Sequence, residues 1–401
     1  MKYTKEEVIE YIKQNDVRFI RLAFCDINGK QKNIAVLPCE LERAFDEGIS
    51  FDASAIDGFS DEVHSDLFLC PIPSTLTVLP WRSLQGKVVR MFCEIRKPDG
   101  SLFEKDSRSI LKEVEKECKE KDLCVNIGSE LEFYLFKNDE KGEPTKVPFD
   151  KAGYMDVAPE DKGENIRREI CQYLMEMGIV PEASHHEEGP GQNEIDFRYS
   201  GILKAADNVE NFITVVKAVA DKCGLYADFS PKPLPEYSGN GFHINISVFK
   251  ENLSDEENLI LQHQFMAVVL AHIKEITSFL NPVEESYKRL GKNKAPLYIT
   301  WSRENRSQLI RIPASKSNEH KRMEVRSADP MANPYLSFAL LVKAGLDGIE
   351  KKMTLQDPVN TNLYLASSEE VKDLEKLPST LLEARSISEN SSFIKSVIGL
   401  R

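Results

Sequence analysis

Two carboxylates stand two residues apart in the segment ELEFYLF, where Glu130 and Glu132 alternate with apolar side chains. Side chains along a β-strand point to opposite faces with a period of two residues. The segment therefore predicts a strand that carries both carboxylates and Tyr134 on one face and apolar side chains on the other. Two carboxylates among apolar neighbours are unlike an ordinary solvated strand face, so this strand is a candidate carrier of ligands.

Three further segments place polar side chains on one side of a predicted strand or on an adjoining loop. They read HHEEGPGQNEIDFRYS, GNGFHINISVF and RMEVRSADP, and a fourth segment just before the last reads WSRENRSQLIRIP. The polar side chains that these segments contribute are Glu187, Glu194, His243, Asn245, Ser247, Arg306, Arg311, Arg322, Glu324 and Arg326.

Together the side chains singled out above offer five carboxylates, one imidazole and several guanidinium groups. Carboxylate oxygens are preferred ligands of Mg²⁺, and a single histidine among them also admits Mn²⁺. Arginine supplies planar donors for phosphate and carboxylate oxygens. This combination indicates phosphoryl transfer, in which catalysis is mainly positioning and charge stabilisation.

Each segment also has a plainer interpretation. Any one of them alone could be a half-buried surface strand, with Glu130 and Glu132 in ordinary salt bridges. We interpret His185 and His186 as structural residues or as supports of ligands, rather than as ligands themselves. The joint occurrence of the segments favours a site, although spacing alone does not give their arrangement in space.

The elements around these segments predict an α+β fold. Short β-branched and aromatic runs, separated by turns such as Asn28-Gly29, predict a small N-terminal sheet domain over residues 1–102. A charged helix then opens a larger domain over residues 103–401, in which strands mix with amphipathic helices.

Composition excludes several classes of protein. The formal net charge of −13 argues against a nucleic-acid partner, which would need a basic surface. No apolar run approaches the ~20 residues that span a bilayer, and the N-terminal segment lacks the apolar centre of a signal peptide. The eight cysteines form no CxxC pair, so we expect reduced thiols and a cytoplasmic protein.

The motifs resemble those of type I glutamine synthetases along nearly the whole chain. The matching stretches, in order, are FDASAIDGF, SDLFLCPIPSTLTVLPW, ELEFYLF, GYMDVAPED, EASHHEEGPGQNEIDF, GNGFHINIS, NPVEESYKRL, WSRENRSQLIRIP and RMEVRSADPMANPYLSFALLVKAGLDGIE. Several of them are long and all are collinear, which makes the resemblance far more specific than one short motif.

The resemblance implies a β-grasp domain followed by a catalytic domain whose curved antiparallel sheet, a half-barrel flanked by helices, holds the active site. It implies ligation of ammonia to L-glutamate with ATP as co-substrate, through a γ-glutamyl phosphate. Two or three Mg²⁺ or Mn²⁺ ions would bind per site. The residues that match the ligands of one ion are Glu132, Glu187 and Glu194, and those that match the ligands of the second are Glu130, His243 and Glu324.

The resemblance also assigns the other site residues. Gly239, Arg289 and Arg326 match groups that bind glutamate, whereas Asn245, Ser247 and Arg311 are assigned to ATP. Arg306 and Arg311 match arginines that meet the phosphates. Asp52 matches the acid that binds and deprotonates ammonium from a neighbouring subunit, so a homo-oligomer with active sites between subunits is expected.

The sequence departs from the family at one catalytic position and at the C-terminus. In the family, a segment called the flap closes over the intermediate and usually carries a glutamate that helps to take the ammonium proton. In this sequence the flap segment is RLGKNKAP, and Lys294 stands in place of that glutamate. The C-terminal segment that docks one ring of subunits on another is short, so a single ring is possible. Three interpretations follow: ammonia ligation, ligation of an amine or polyamine to glutamate, and a nitrogen-sensing protein that binds without turnover.

Overall fold

The computed structural model describes residues 3–82, 86–315 and 321–399. Within them the helices are Lys5–Gln14 (α1), Leu41–Asp46 (α2), Ser107–Glu120 (α3), Glu164–Glu176 (α4), Ile202–Lys222 (α5), Asp255–Leu280 (α6), Glu284–Arg289 (α7), Pro334–Glu350 (α8), Leu381–Asn390 (α9) and Ser392–Ile398 (α10). The strands are Val17–Cys25 (β1), Gln31–Val36 (β2), Ile49–Asp52 (β3), Asp66–Pro71 (β4), Thr77–Val78 (β5), Lys87–Arg96 (β6), Cys124–Asn138 (β7), Pro144–Pro148 (β8), Pro181–His186 (β9), Gln192–Gly201 (β10), Leu225–Asp228 (β11), Phe242–Phe249 (β12), Trp301–Arg303 (β13), Ile310–Ile312 (β14) and Met323–Val325 (β15).

The first sheet is built from β1 to β6 in the order β2-β1-β6-β4-β3, with β5 beside β6. Only the β1–β6 pair is parallel among its described pairs, because the chain returns to β1 after a long connection that contains α2. Helix α1 begins at a capping box formed by Thr4 and Glu7 and buries Val8 and Ile12 on its sheet-facing side. This sheet has a hydrophobic core of its own.

The second sheet has the order β13-β14-β15-β12-β7-β10-β9, and β8 and β11 also pair with β7. Its described strand pairs are antiparallel except β13–β14, which is parallel. The predicted curved antiparallel sheet flanked by helices is confirmed, with one parallel pair at this edge, where the chain loops between β13 and β14 without reversing direction. The α+β fold with two sheets is confirmed.

Helices α3, α5, α6 and α8 bury one face of the second sheet. The buried side chains of β7 on that face, Leu131, Phe133 and Leu135, pack into the same core as the apolar faces of these helices. The opposite face of β7 carries Glu130 and Glu132, so the apolar core fixes the direction in which the two carboxylates point. The sheet is thus a rigid platform with one apolar and one polar face.

Several elements differ from the sequence expectation in length. The β-branched run LTVLPW, one of the short runs expected to form strands of the N-terminal sheet, contains only the two residues of β5, followed by a single helical turn at Pro80–Arg82. The strand in RMEVRSADP covers only β15, because its neighbours leave the ladder on both sides. Strands β3, β4, β8, β9 and β11 were not anticipated. The division of the chain into two domains at residue 103 stays a prediction.

No helix in the described parts of the chain is long and apolar enough to cross a membrane.

Candidate active site

The register of neighbouring strands of the second sheet brings the predicted ligands into one row. Strand β10 lies beside β7 with Glu194 opposite Glu132, and β12 lies on the other side of β7 with His243 opposite Glu130. Side chains directly opposite each other in an antiparallel pair have Cβ atoms about 5 Å apart. Pairing of residues 62 and 113 positions apart in sequence therefore assembles what the separate segments could only indicate.

The row continues on the far side of β12. Asn245 lies opposite Glu324 of β15, and Glu324 in turn lies opposite Arg311 of β14. On the near side, His185 of β9 lies opposite Glu194. Carboxylates, imidazoles and a guanidinium group thus lie together on the polar face of the sheet.

Several sets of these side chains could each hold a cation. Glu130, His243 and Glu324 place one ligand atom each within 4.8 Å of one another, which is the second predicted set. Glu194 belongs to three other sets at this spacing: one with Glu132 and His243, one with His185 and Glu187, and one with Glu130 and Asp196. The other predicted set, with Glu132, Glu187 and Glu194, is therefore brought close but is divided between two clusters.

The charges in these clusters act strongly on one another. Burial, with the charges of Glu132 and Glu130, raises the pKa of Glu194 well above its usual range. Burial and the charge of Glu132 raise the pKa of Glu187 to about 7. Burial alone would also raise the pKa of Glu130, but hydrogen bonding to His243 and Asn245, together with the charges of His243 and Arg311, outweighs it and brings that pKa to about 2. A divalent cation among these carboxylates would offset their repulsion.

The donor set fits Mg²⁺ or Mn²⁺. Glu324 is fully buried, and its Oε1 has no hydrogen-bond partner among the described residues. A buried carboxylate oxygen without a partner is costly, and a metal ion is one of the few groups that would satisfy it. One imidazole among several carboxylates is the mixture expected for these two hard cations.

Two adjoining cavities open on the row of side chains. The first, of about 500 Å³, is lined on its floor by the acidic clusters, and the second, of about 440 Å³, lies beyond Asn245 and Ser247. Glu130, Asp196 and Arg322 line both cavities. The candidate metal-binding side chains therefore stand at the junction of two spaces that could each receive a substrate. The predicted residues that line the first cavity are Gly239, Arg289, Lys294, Arg306, Arg311 and Arg326.

Three of the predicted arginines are held in place by other groups of the protein: two by backbone carbonyls and one by a carboxylate. Arg289 is 3% exposed, and its Nη1 donates to Ser327 O at 2.7 Å. Arg326 donates from Nη1 to Arg306 O at 2.8 Å, and Arg311 pairs with Glu324. Because these contacts hold the guanidinium groups in place, little side-chain entropy remains to be lost when an anion binds.

The backbone beside the first cavity is held by Gln192. Its Nε2 donates to Glu132 Oε2 at 3.0 Å and to Gly239 O at 3.1 Å, and Gly241 N donates to the same Glu132 oxygen at 2.8 Å. A side chain at Gly239 would place its Cβ 2.3 Å from Pro231 O, so this position requires glycine. Sequence reasoning did not single out Gln192, whose amide reads as an ordinary polar residue.

The two adjacent histidines have different surroundings. The imidazole of His185 lies 3.4 Å from Glu194 Oε1 and 3.5 Å from Glu187 Oε1, so it stands within the acidic cluster. His186 is fully buried behind the site, where its Nε2 lies 2.9 Å from Asp150 Oδ1. The strand β9, which the sequence did not reveal, separates them because adjacent side chains of a strand face opposite sides.

Asp52 is exposed in the first sheet, where its carboxylate accepts hydrogen bonds from the Ser54 amide and hydroxyl. Asp52 is not among the described residues that line either of the two cavities. Within a single chain the structure thus separates this residue from the rest of the candidate site.

Comparison with known proteins decides the family. The family model described as "Glutamine synthetase, beta-Grasp domain" matches residues 16–98, and "Glutamine synthetase, catalytic domain" matches residues 104–401. The chain belongs to the glutamine synthetase family. Glutamine synthetase of Clostridium saccharobutylicum is 43% identical over 408 aligned residues, which cover 99% of this chain and 92% of the relative. The enzyme of Staphylococcus aureus is 44% identical and covers 99% and 91%.

Solved structures share the fold of this glutamine synthetase family member. An ADP complex of GmaS superposes with a TM-score of 0.87 at 28% identity, covering 100% of this chain and 93% of that one. A glutamine synthetase of Plasmodium falciparum, determined by cryo-electron microscopy, has a TM-score of 0.84 at 25% identity and covers 99% and 95%. The predicted family and the predicted ligase class are therefore confirmed.

Proposed function

We propose that the protein joins ammonia to the side-chain carboxylate of L-glutamate, with ATP as the source of the activating phosphoryl group. The products are L-glutamine, ADP and phosphate, and the intermediate is γ-glutamyl phosphate. The observation that carries this proposal is the row of carboxylates and His243 at the junction of two cavities, with Arg311 beside Glu324. The ADP complex of the structural neighbour supports an adenine nucleotide as a ligand of this fold.

The residues of the two cavities have separate tasks in this reaction. ATP lies in the cavity beside Asn245 and Ser247, and the backbone at Gly239 with Arg289 and Arg326 holds glutamate in the other. A glutamate carboxylate oxygen attacks the γ-phosphorus, the bond to ADP breaks, and an acyl phosphate forms. The nitrogen of ammonia then attacks the acyl carbon, phosphate leaves with its electron pair, and the nitrogen loses one proton to the departing phosphate or to water.

Positive groups are needed because both reactants of the first step are anions. Glu130, His243 and Glu324 would hold one divalent cation, and Glu132, Glu187 and Glu194 a second, with His185 close to them. Such cations neutralise phosphate oxygens and so favour attack by a carboxylate. Arg306 and Arg311 add fixed guanidinium donors on the same cavity.

We propose a homo-oligomer in which Asp52 completes the site of a neighbouring subunit. An exposed carboxylate on the first sheet, outside both cavities of its own chain, supports this arrangement. The residue would bind ammonium and take its proton. We also propose that the protein works in the cytoplasm, as the cysteine pattern indicates.

A phosphate-release assay tests the activity. Purified protein is supplied with glutamate and Mg²⁺-ATP, with and without ammonium, and products are identified by mass spectrometry. We expect phosphate release that depends on ammonium, with glutamine formed. Absence of phosphate under all conditions would contradict the ligase and favour a protein that only binds its ligands.

A second candidate is ligation of an amine other than ammonia to glutamate. The observation that favours it is Lys294, a cation that lines the cavity at the flap position. Phosphate release that responds to a primary amine or a polyamine but not to ammonium would support this alternative. A lysine close to a polycation is unfavourable, which is why ammonia remains the first proposal.

A further inference from the structure

An ion pair joins two loops at the rim of the first cavity. The Lys294 ammonium contacts the Glu188 carboxylate, although the two residues are 106 positions apart in sequence. The other oxygen of Glu188 accepts a hydrogen bond from Ser238 Oγ at 3.1 Å. All three residues line the cavity in which glutamate and ammonia are proposed to react. The pair is half-exposed, with 60% of the Lys294 side chain and 34% of the Glu188 side chain open to solvent.

The backbone that carries Lys294 is firmly held. Asn293 and Lys294 have φ angles of 45° and 69°, a left-handed conformation that residues other than glycine rarely adopt. Lys232 Nζ donates to Asn293 Oδ1 at 2.9 Å, and the Tyr364 hydroxyl donates to the Lys294 carbonyl. The turn is thus fixed on both sides, whereas the long Lys294 side chain remains the movable part.

Glu188 lies directly beside the acidic cluster. Its backbone amide donates to Glu187 Oε2 at 3.1 Å, so two consecutive carboxylates border the same cavity. With Lys294 alone, the flap would bring a net positive charge to a site that must admit an ammonium ion. With Glu188 paired to it, that charge is compensated, and a carboxylate is present near the place where the family usually has a flap glutamate.

We propose that Glu188 determines the affinity of this site for the acceptor cation, and that Lys294 is an internal cation that the acceptor displaces. The inference rests on the proposed function, because it concerns the amine that the ligase consumes. Ammonium, or the protonated form of a small amine, exchanges with the Lys294 ammonium for contact with the Glu188 carboxylate. Lys294 then turns outward, where its side chain is already largely solvated.

If ammonium and Lys294 compete for Glu188, substitutions of Glu188 and of Lys294 should change the KM for ammonium in opposite directions. Glu188→Gln removes the shared carboxylate and leaves Lys294 unpaired, so the KM for ammonium rises by about tenfold or more. Lys294→Met removes only the competitor and frees Glu188, so the KM for ammonium falls. In the double variant the Lys294→Met effect is much smaller, because no carboxylate is left to liberate.

Steady-state kinetics with varied ammonium, at saturating glutamate and ATP, measures these effects. The control is Lys288→Met, which removes a surface lysine paired with Glu285 outside the cavity and leaves the KM for ammonium unchanged. If the pair were only a latch between loops, both single variants would shift KM in the same direction, which would overturn the inference. The inference would also be overturned if these variants changed the KM for glutamate and left the KM for ammonium unchanged.

The two levels of the proposal are distinguishable. Wild-type protein without ammonium-dependent phosphate release contradicts the proposed function and, with it, this role of Glu188. Normal wild-type turnover with parallel shifts in the two single variants contradicts only the exchange of cations. Opposite shifts in the two single variants, with a small Lys294→Met effect in the double variant, support both levels.

Discussion

Glu324 is the residue at which the opposing charges of the site meet, since Arg311 pairs with one of its oxygens and His243 lies 3.7 Å from the other. We expect Glu324→Gln to lower metal affinity by one to two orders of magnitude, in the range found when groups that support a metal are removed. The amide keeps the shape of the side chain but loses the charge that a divalent cation requires. Phosphate release should fall with it.

Titration with Mn²⁺, followed by the shift in Tm, checks this expectation without relying on turnover. Wild-type protein should gain stability as the ion binds, and Glu324→Gln should gain much less. Glu236→Gln, at an exposed position in the segment before Gly239, is the matched control and should behave as wild type. A wild-type Tm shift in Glu324→Gln would contradict a metal at this carboxylate.

At the scale of elements, the loop between β9 and β10 links the acidic clusters proposed to bind metal to the proposed glutamate site. An added Cβ at Gly189 would lie 1.9 Å from the Tyr134 hydroxyl, which donates to Ser238 O at 2.6 Å. Gly189→Ala therefore displaces Tyr134 and, through it, the backbone next to Gly239. We expect the KM for glutamate to rise about tenfold or more, and the KM for ATP to change far less.

Gly201→Ala serves as the control, since a Cβ there would meet only Glu115 Oε1 at an ordinary 3.6 Å. Equal changes in both KM values would indicate a general loss of structure rather than a local displacement. An unchanged KM for glutamate would show that the loop does not position the site. Measuring Tm for both variants separates the two causes.

The elements also show what sequence could predict. The alternation in β7 and β12 correctly gave the polar faces of Glu130, Glu132 and His243, because the opposite faces are continuous apolar runs. The register that aligns these strands depends on contacts between distant segments and has no local signal. For the same reason the strand β9, which places His185 beside Glu194, and the pairing of Glu188 with Lys294 could not be predicted.

At the scale of the whole molecule, buried ionisable groups lie where the first sheet meets the helices that cover the second sheet. Glu210 of α5 is 3% exposed and contacts Cys25 at the end of β1. Burial raises the pKa of Glu210 to about 8, an effect that Cys25 and Lys217 offset only in part. Between about pH 4 and pH 8 the folded protein therefore keeps a proton that the unfolded chain has released.

Because the folded state binds more protons in that window, Glu210 makes stability decrease as pH rises, by at most about 1.4 kcal/mol per pH unit. Glu210→Gln cannot titrate, so its Tm relative to wild type should increase from about pH 5.5 to about pH 8.5. Thermal unfolding at these two values measures the difference. Glu113→Gln, in an exposed pair, should run parallel to wild type, and a parallel course for Glu210→Gln would contradict the buried neutral carboxyl.

In the proposed homo-oligomer, one subunit supplies Asp52 and its neighbour supplies the two cavities. If so, Asp52→Ala and Arg326→Ala destroy activity through different halves of a shared site. Mixed oligomers of the two variants would contain some sites with both residues intact, and phosphate release should exceed that of either parent. Size-exclusion chromatography before and after mixing establishes that subunits have exchanged. Exchanged oligomers that remain as inactive as the parents would show that Asp52 acts within its own chain, or not at all.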